Sequence, residues 1–162
     1  MAIAKSKIVP HLWFDTEARE AAELYVSIFP DSRIDRVRSI GGTPSGNVDV
    51  VSFTLSGQPF MAISAGPAFR FNEAISFLIE CADQAEIDYY WAKLGAGGDP
   101  AAQQCGWLKD RFGVSWQVNG RDMGQYLGGP DAEGAARASV ALQAMEKIDL
   151  EALRRAYDGS AA

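Results

Sequence analysis

The stretch 104–119, Gln-Cys-Gly-Trp-Leu-Lys-Asp-Arg-Phe-Gly-Val-Ser-Trp-Gln-Val-Asn, constrains this chain more than any other, because it reads as two strands around a tight turn. Asp starts turns through its own side-chain hydrogen bonds and Gly supplies positive φ, so the chain should reverse at Asp110-Arg-Phe-Gly113 and enter an alternating strand from Val114 to Val118. That hairpin closes a unit of strand, helix and hairpin, and the same order occurs once before it. The chain therefore reads as two copies of one βαβββ module.

In the first copy, Ile8 to Phe14 is a β-rich run with Pro10 near its start, where a strand tolerates proline. Asp15-Thr16 is expected to open a helix in which Ala18, Ala21, Ala22, Tyr25, Ile28 and Phe29 form one apolar face, ending at Pro30. Arg33 to Ile40 reads as a second strand, Gly41 to Gly46 as a loop, Val48 to Leu55 as a third strand, and Ser56-Gly57 as the turn into Gln58 to Ala65. The second copy begins with a strand from Ala74 to Glu80. Asp83 and Glu86 form a capping box for a helix carrying Ile87, Tyr90, Trp91 and Leu94 at helical spacing and stopped by Gly95. A short strand near Ala101 to Gln104 and the hairpin complete the repeat. Beyond Asn119 the pattern becomes helical, with starts at Pro130-Asp131 and Asp149; its apolar residues need either the outer face of a module or a partner subunit. The expected fold class is α+β: tandem βαβββ modules over 8–66 and 74–119 in a curved, antiparallel-rich mixed sheet, with C-terminal helices over 130–158.

A chain of 162 residues can bury about two-thirds of its unfolded surface, enough for a real core. Its net charge of −6 and the lack of a Lys/Arg stripe argue against nucleic acid and anionic membranes as partners. Arg33, Arg36 and Arg38, interleaved with Asp35, read as solvated strand charge. The start lacks the apolar core of a secretory signal and no run approaches a membrane span, so a cytoplasmic location is expected. Cys81 and Cys105 lack metal or disulfide spacing and read as buried thiols, although Cys105 beside Gly106 has the alternative of a reactive thiol. Lys109-Asp110 reads as an ion pair of the turn.

Four stretches resemble the PhnB-like family of the vicinal oxygen chelate superfamily, the group of glyoxalases, bleomycin-resistance proteins and extradiol dioxygenases. They are Pro10-His-Leu-Trp-Phe-Asp15, Tyr25-Val-Ser-Ile-Phe-Pro30, Phe71-Asn-Glu-Ala-Ile-Ser76 and Gln104 to Gln117. The resemblance implies a cup lined by strand faces, and a homodimer. Superfamily chemistry rests on a divalent metal whose ligand positions fall here near His11 (or Pro10), Ser64, Ser76 and Gln117. Only His11 among these is a good donor, while such a site needs about three. No metal and no other cofactor is therefore expected, and Glu80 and Asp49 are the strand carboxylates that would have to substitute. The family is often catalogued as a ubiquinone-pathway methyltransferase, but the chain has no strand-Gly-x-Gly-x-Gly-helix turn for a nucleotide-like methyl donor.

What remains is a cleft of polar and aromatic side chains. His11 and Trp13 alternate onto one strand face, and Ser64, Ser76, Ser115, Trp107 and Gln117 belong to the other candidate positions. Such a lining suits a small organic ligand, although alternating polar residues also simply face solvent and tryptophans also fill cores. Two functions are open: a metal-free small-molecule-binding protein using Trp13, Ser64, Ser76, Trp107 and Gln117, or an enzyme in which His11 is the general base or a lone metal anchor. Histidine is the side chain suited to acid–base work near neutrality. A pure interaction module built on the C-terminal helices is a further alternative.

Overall fold

A computed structural model describes residues 7–160. The chain divides into two compact units, one ending at Phe71 and one starting at Asn72. It is a mixed α+β protein with antiparallel-rich mixed sheets and C-terminal helices.

The first unit holds β1 (His11–Phe14), α1 (Ala18–Ile28), β2 (Arg33–Thr43), β3 (Gly46–Leu55) and β4 (Gln58–Ser64). Its sheet has the order β1-β4-β3-β2, with β1 parallel to β4 and the other pairs antiparallel. The apolar face expected for α1 is buried through Ala18, Ala21, Ala22, Tyr25 and Ile28. Its alanines let the helix lie close to the sheet, where Tyr25 faces Phe53, itself stacked on Phe60 at 5.4 Å.

Two local expectations are corrected. The helix does not open at Asp15-Thr16: Glu17 is its N-cap and makes no side-chain cap bond, and the Ala18 amide instead donates to Ser64 Oγ, 3.0 Å away on β4. Nor is Gly41 to Gly46 a loop. The β2–β3 hairpin continues to Thr43 and Gly46, where the Thr43 hydroxyl donates to the Gly46 carbonyl at 2.8 Å and accepts from the Ser45 amide at 3.2 Å. These bonds fix the reversal that a glycine-rich composition only permits.

The second unit holds β5 (Phe77–Cys81), α2 (Gln84–Gly95), β6 (Trp107–Lys109), β7 (Ser115–Gly120), α3 (Gly124–Leu127), α4 (Ala132–Gln143) and α5 (Leu150–Asp158). The sheet order is β5-β7-β6, with β5 parallel and β6 antiparallel to β7. This is the first unit's order without its last strand. Where that strand was expected, Pro100–Ala102 forms a 3-10 turn and Gln104 makes one isolated bridge to Trp107. Proline in the first position removes a donor and favours the turn over a ladder.

Asp83 caps α2 as expected, accepting from the Glu86 amide at 2.9 Å, while Glu86 returns a bond to the Ala82 amide at 2.7 Å. Ile87 and Leu94 are fully buried, as are Cys81 and Val118 of the sheet. The tail docks on this same unit. Gln84 holds it from both sides, its Nε2 donating to the Ile148 carbonyl at 3.0 Å and its Oε1 accepting from the Leu150 amide at 3.0 Å. Ile148 and Leu153 are wholly buried within this unit, whereas Val140 of α4 stays exposed. Asp131 and Asp149 cap α4 and α5 through the Glu133 and Ala152 amides, at 3.1 and 2.8 Å. Among the described residues no helix is long and apolar enough to cross a membrane.

Candidate functional site

The hairpin turn comes first, because it sets the face that carries the candidate residues. Asp110 is buried, and its Oδ1 accepts from the amides of Phe112 and Val114 at 2.9 and 3.1 Å while Oδ2 accepts from Trp116 Nε1 at 2.9 Å. One carboxylate thus closes the turn and aims the Trp116 ring into the core. Lys109 points the other way, its ammonium on the carboxylate of Glu73. The expected turn pairing of Lys109 with Asp110 is corrected accordingly: the lysine serves the sheet face and the aspartate serves the turn.

Strand alternation then sorts the second sheet. Phe77, Ile79, Cys81, Leu108, Trp116 and Val118 share the face covered by α2, and the opposite face carries Ser76, Leu78, Trp107, Lys109, Ser115, Gln117 and Asn119. Across the β6–β7 ladder Lys109 lies opposite Ser115, and Trp107 opposite Gln117. Gln117 Nε2 donates to Ser76 Oγ at 2.8 Å. Three candidate residues, Ser76, Trp107 and Gln117, are therefore brought together on one surface.

Beside them is a recess of about 470 Å³ lined by Glu73, Ala101, Ala102, Gln104, Cys105, Trp107, Leu108, Lys109 and Ser115. It opens where the 3-10 turn stands in for the missing strand. Two buried side-chain oxygens on this face, Ser115 Oγ and Asn119 Oδ1, have no hydrogen-bond partner among the described residues. Leaving such a group unmet costs about 1–3 kcal/mol; Ser115 Oγ belongs to the lining of the recess, whereas Asn119 Oδ1 lies against Gly106 beneath the docked tail. Lys109 holds the Glu73 carboxyl below its usual range by the hydrogen bond it donates, with Glu73's own backbone adding to the effect. Ser115 stands on the polar strand face where the sequence puts it among the candidate positions, and its burial is seen only in the fold. Sequence reasoning passed over Glu73, because only the folded sheet brings the loop before β5 to β6.

The other candidates fall in the first unit. His11 and Trp13 share a face as expected, paired with Met61 and Ile63 of β4. His11 is exposed, while Trp13 is half-buried, its Nε1 donating to the Gly66 carbonyl at 2.9 Å and its ring edge-on to Phe69 at 4.9 Å. Ser64 lies on the opposite face, level with Phe14, where it caps α1. Of the strand carboxylates, Asp49 accepts from the Ser39 hydroxyl and Glu80 is exposed. Among the described residues no three His, Cys, Asp or Glu side chains come together as a metal-ligand set. The superfamily's metal finds no fitting donor group among the described residues of either unit.

The thiols also differ. Cys81 is buried, and desolvation, helped by Glu86 and Asp83, pushes it up to about 11. Cys105, expected to be buried, is half-buried on the rim of the recess.

A family model described as 3-demethylubiquinone-9 3-methyltransferase matches residues 6–119. The chain belongs to this family, the PhnB-like proteins. Among solved structures, the PhnB protein from Bacillus cereus is 33% identical with a TM-score of 0.59, over 69% of this chain and 97% of that one. A protein from Pseudomonas aeruginosa is 23% identical with a TM-score of 0.57, over 70% and 96%. The fosfomycin resistance protein FosX from Mesorhizobium loti, 13% identical over 70% and 90% with a TM-score of 0.50, shares the fold. No curated protein matches the chain. In this PhnB-like protein the junctions that lead into the two module helices, α1 and α2, read Asp15-Thr-Glu17 and Ala82-Asp83.

Proposed function

We propose that this PhnB-like protein binds a small organic molecule on the face of the second unit's sheet turned away from α2, without a resident metal. The observation that carries the reading is the recess itself: a tryptophan flank, a lysine and a buried, unpartnered hydroxyl converge on one space of about 470 Å³. Pockets for modest ligands combine a mostly apolar lining with a few placed polar groups, which is this composition. The hydrogen-bonded Ser76–Gln117 pair lies on the same sheet face, with Gln117 opposite Trp107, and would orient a ligand's outer polar edge. His11 and Trp13 present a second, aromatic surface in the first unit, and Ser64 is withdrawn from the binding set because its hydroxyl is spent on α1. The homodimer and the cytoplasmic location expected from the sequence are part of the same proposal.

Native mass spectrometry of protein purified without chelators or affinity metals tests the dimer, the metal and the bound molecule at once. The expected result is a metal-free dimer carrying a small adduct that is lost in Trp107→Ala. Stoichiometric divalent metal, or an adduct indifferent to Trp107, would overturn the reading.

A further inference from the structure

We propose that the ligands of the recess carry a small oxyanion, a carboxylate or phosphonate, and that Glu73 occupies the oxyanion's place in the free protein. This rests on the binding site proposed above and names its chemistry.

Lys109 and Ser115 are direct cross-strand partners, so their side chains rise side by side from one face into one recess. The Lys109 side chain is only 24% exposed and Ser115 is 2% exposed, so both heads lie largely out of solvent. A half-shielded ammonium next to a buried hydroxyl with a free donor is a site for one compact, multi-oxygen anion. Trp107, the next residue on the same face of β6, and Ala101 leave the rest of the space to an apolar body. Ser115 Oγ has no partner among the described residues, and the Glu73 carboxylate that meets Lys109 does not bond to it.

Glu73 is built to leave. Its side chain is 61% exposed, and its loop carries the exposed residues Asn72, Ala74 and Ile75, with an Asn72 side-chain turn onto the Ala74 amide. An ion pair with one partner this exposed contributes little to stability, so a ligand oxyanion that also reaches Ser115 exchanges it at small cost. The free protein thereby keeps Lys109 neutralised until a better anion arrives.

The test is a titration with benzoate, phenylphosphonate and the neutral isostere benzamide, followed by the Trp107 indole N–H resonance, assigned with Trp107→Phe. Both anions should bind at least about tenfold more tightly than benzamide, and Lys109→Gln should erase that preference. Glu73→Gln, a change at a side chain that is mostly exposed, should tighten the anions roughly three- to fivefold relative to benzamide. Benzamide binding as well as benzoate would overturn the oxyanion proposal and leave the binding site standing; binding by none of the three would sink both. Weaker anion binding in Glu73→Gln would show that Glu73 helps hold the ligand and is not its placeholder. The better of the two anions distinguishes a carboxylate from a phosphonate ligand.

Discussion

The two sheets of this protein follow one pairing scheme at two lengths. In each, the last strand of the module lies parallel to the first and antiparallel to its predecessor, giving β1-β4-β3 in one unit and β5-β7-β6 in the other. The first adds β2, an eleven-residue edge strand, to that core; the second puts a 3-10 turn there instead. The difference shows where a repeat can be altered without losing its fold. The central pairs bury the residues packed on the helix, whereas the outermost strand is exposed along nearly its whole length and carries little of the core. Removing it leaves a concavity, and the recess with Lys109, Ser115 and Trp107 is at that position.

The sharpest way to break the equivalence is at the turns leading into β4 and β7. Asp110→Ala removes a buried carboxylate that holds two amides and an indole, and should cost the second unit about 3 kcal/mol or more in urea unfolding. At the matching turn of the first unit, Ser56→Ala loses only an exposed bond of 3.2 Å to the Pro30 carbonyl and should cost less than about 0.5 kcal/mol. Equal losses would mean that the two turns are anchored alike, against the geometry described.

Next in size is a change that should sharpen the comparison. Gly57 and Gly113 have φ of 83° and 85°, and a Cβ at either would meet open space. Alanine at each should therefore cost the same, about 1 kcal/mol of backbone strain. Gly106 has φ of 84° too, but a Cβ there would fall 2.6 Å from Asn119 Oδ1 and 3.0 Å from Ile148, so Gly106→Ala should exceed both. A ranking by thermal melts decides the point.

Ser64→Ala should cost roughly 1 kcal/mol, the loss of a helix cap, with no effect on recess binding by calorimetry. The thiols are told apart by reactivity and by pH. A thiol reagent at neutral pH should modify Cys105 and spare Cys81 until the protein unfolds. The folded-state value of Cys81 is raised, from 9.0 to about 11, so its stabilising contribution is complete below about pH 9 and is lost as pH rises towards 11. Urea midpoints flat across that interval would contradict this burial.

Sequence alone made the repeat, the helix faces and the side-chain caps at Asp83, Asp131 and Asp149 readable, because each depends on residues within a few positions of one another. Missed features were set by distant parts of the chain. Ser64 caps a helix 46 positions away, and Glu73 reaches Lys109 across the whole of α2. The glycine-rich run 41–46 read as a loop because composition is silent on the Thr43 bonds that continue the hairpin. Of the candidate site, the sequence offered Ser76, Trp107 and Gln117 only as separate candidates, whereas the surface they share and the burial of the Ser115 hydroxyl needed the three-dimensional neighbourhood to be seen.

The docking of the tail also has a consequence in time. The amides of Cys105 and Gly106 donate to the carbonyls of Met145 and Glu146, both at 2.8 Å, and Ile148 lies buried beside them. During synthesis the first unit has every one of its strands and its helix once Phe71 has emerged, but the second stays open until some eighty residues later. The exposed sheet of that late-closing half is thus the interval in which a nascent chain most needs shielding from its neighbours.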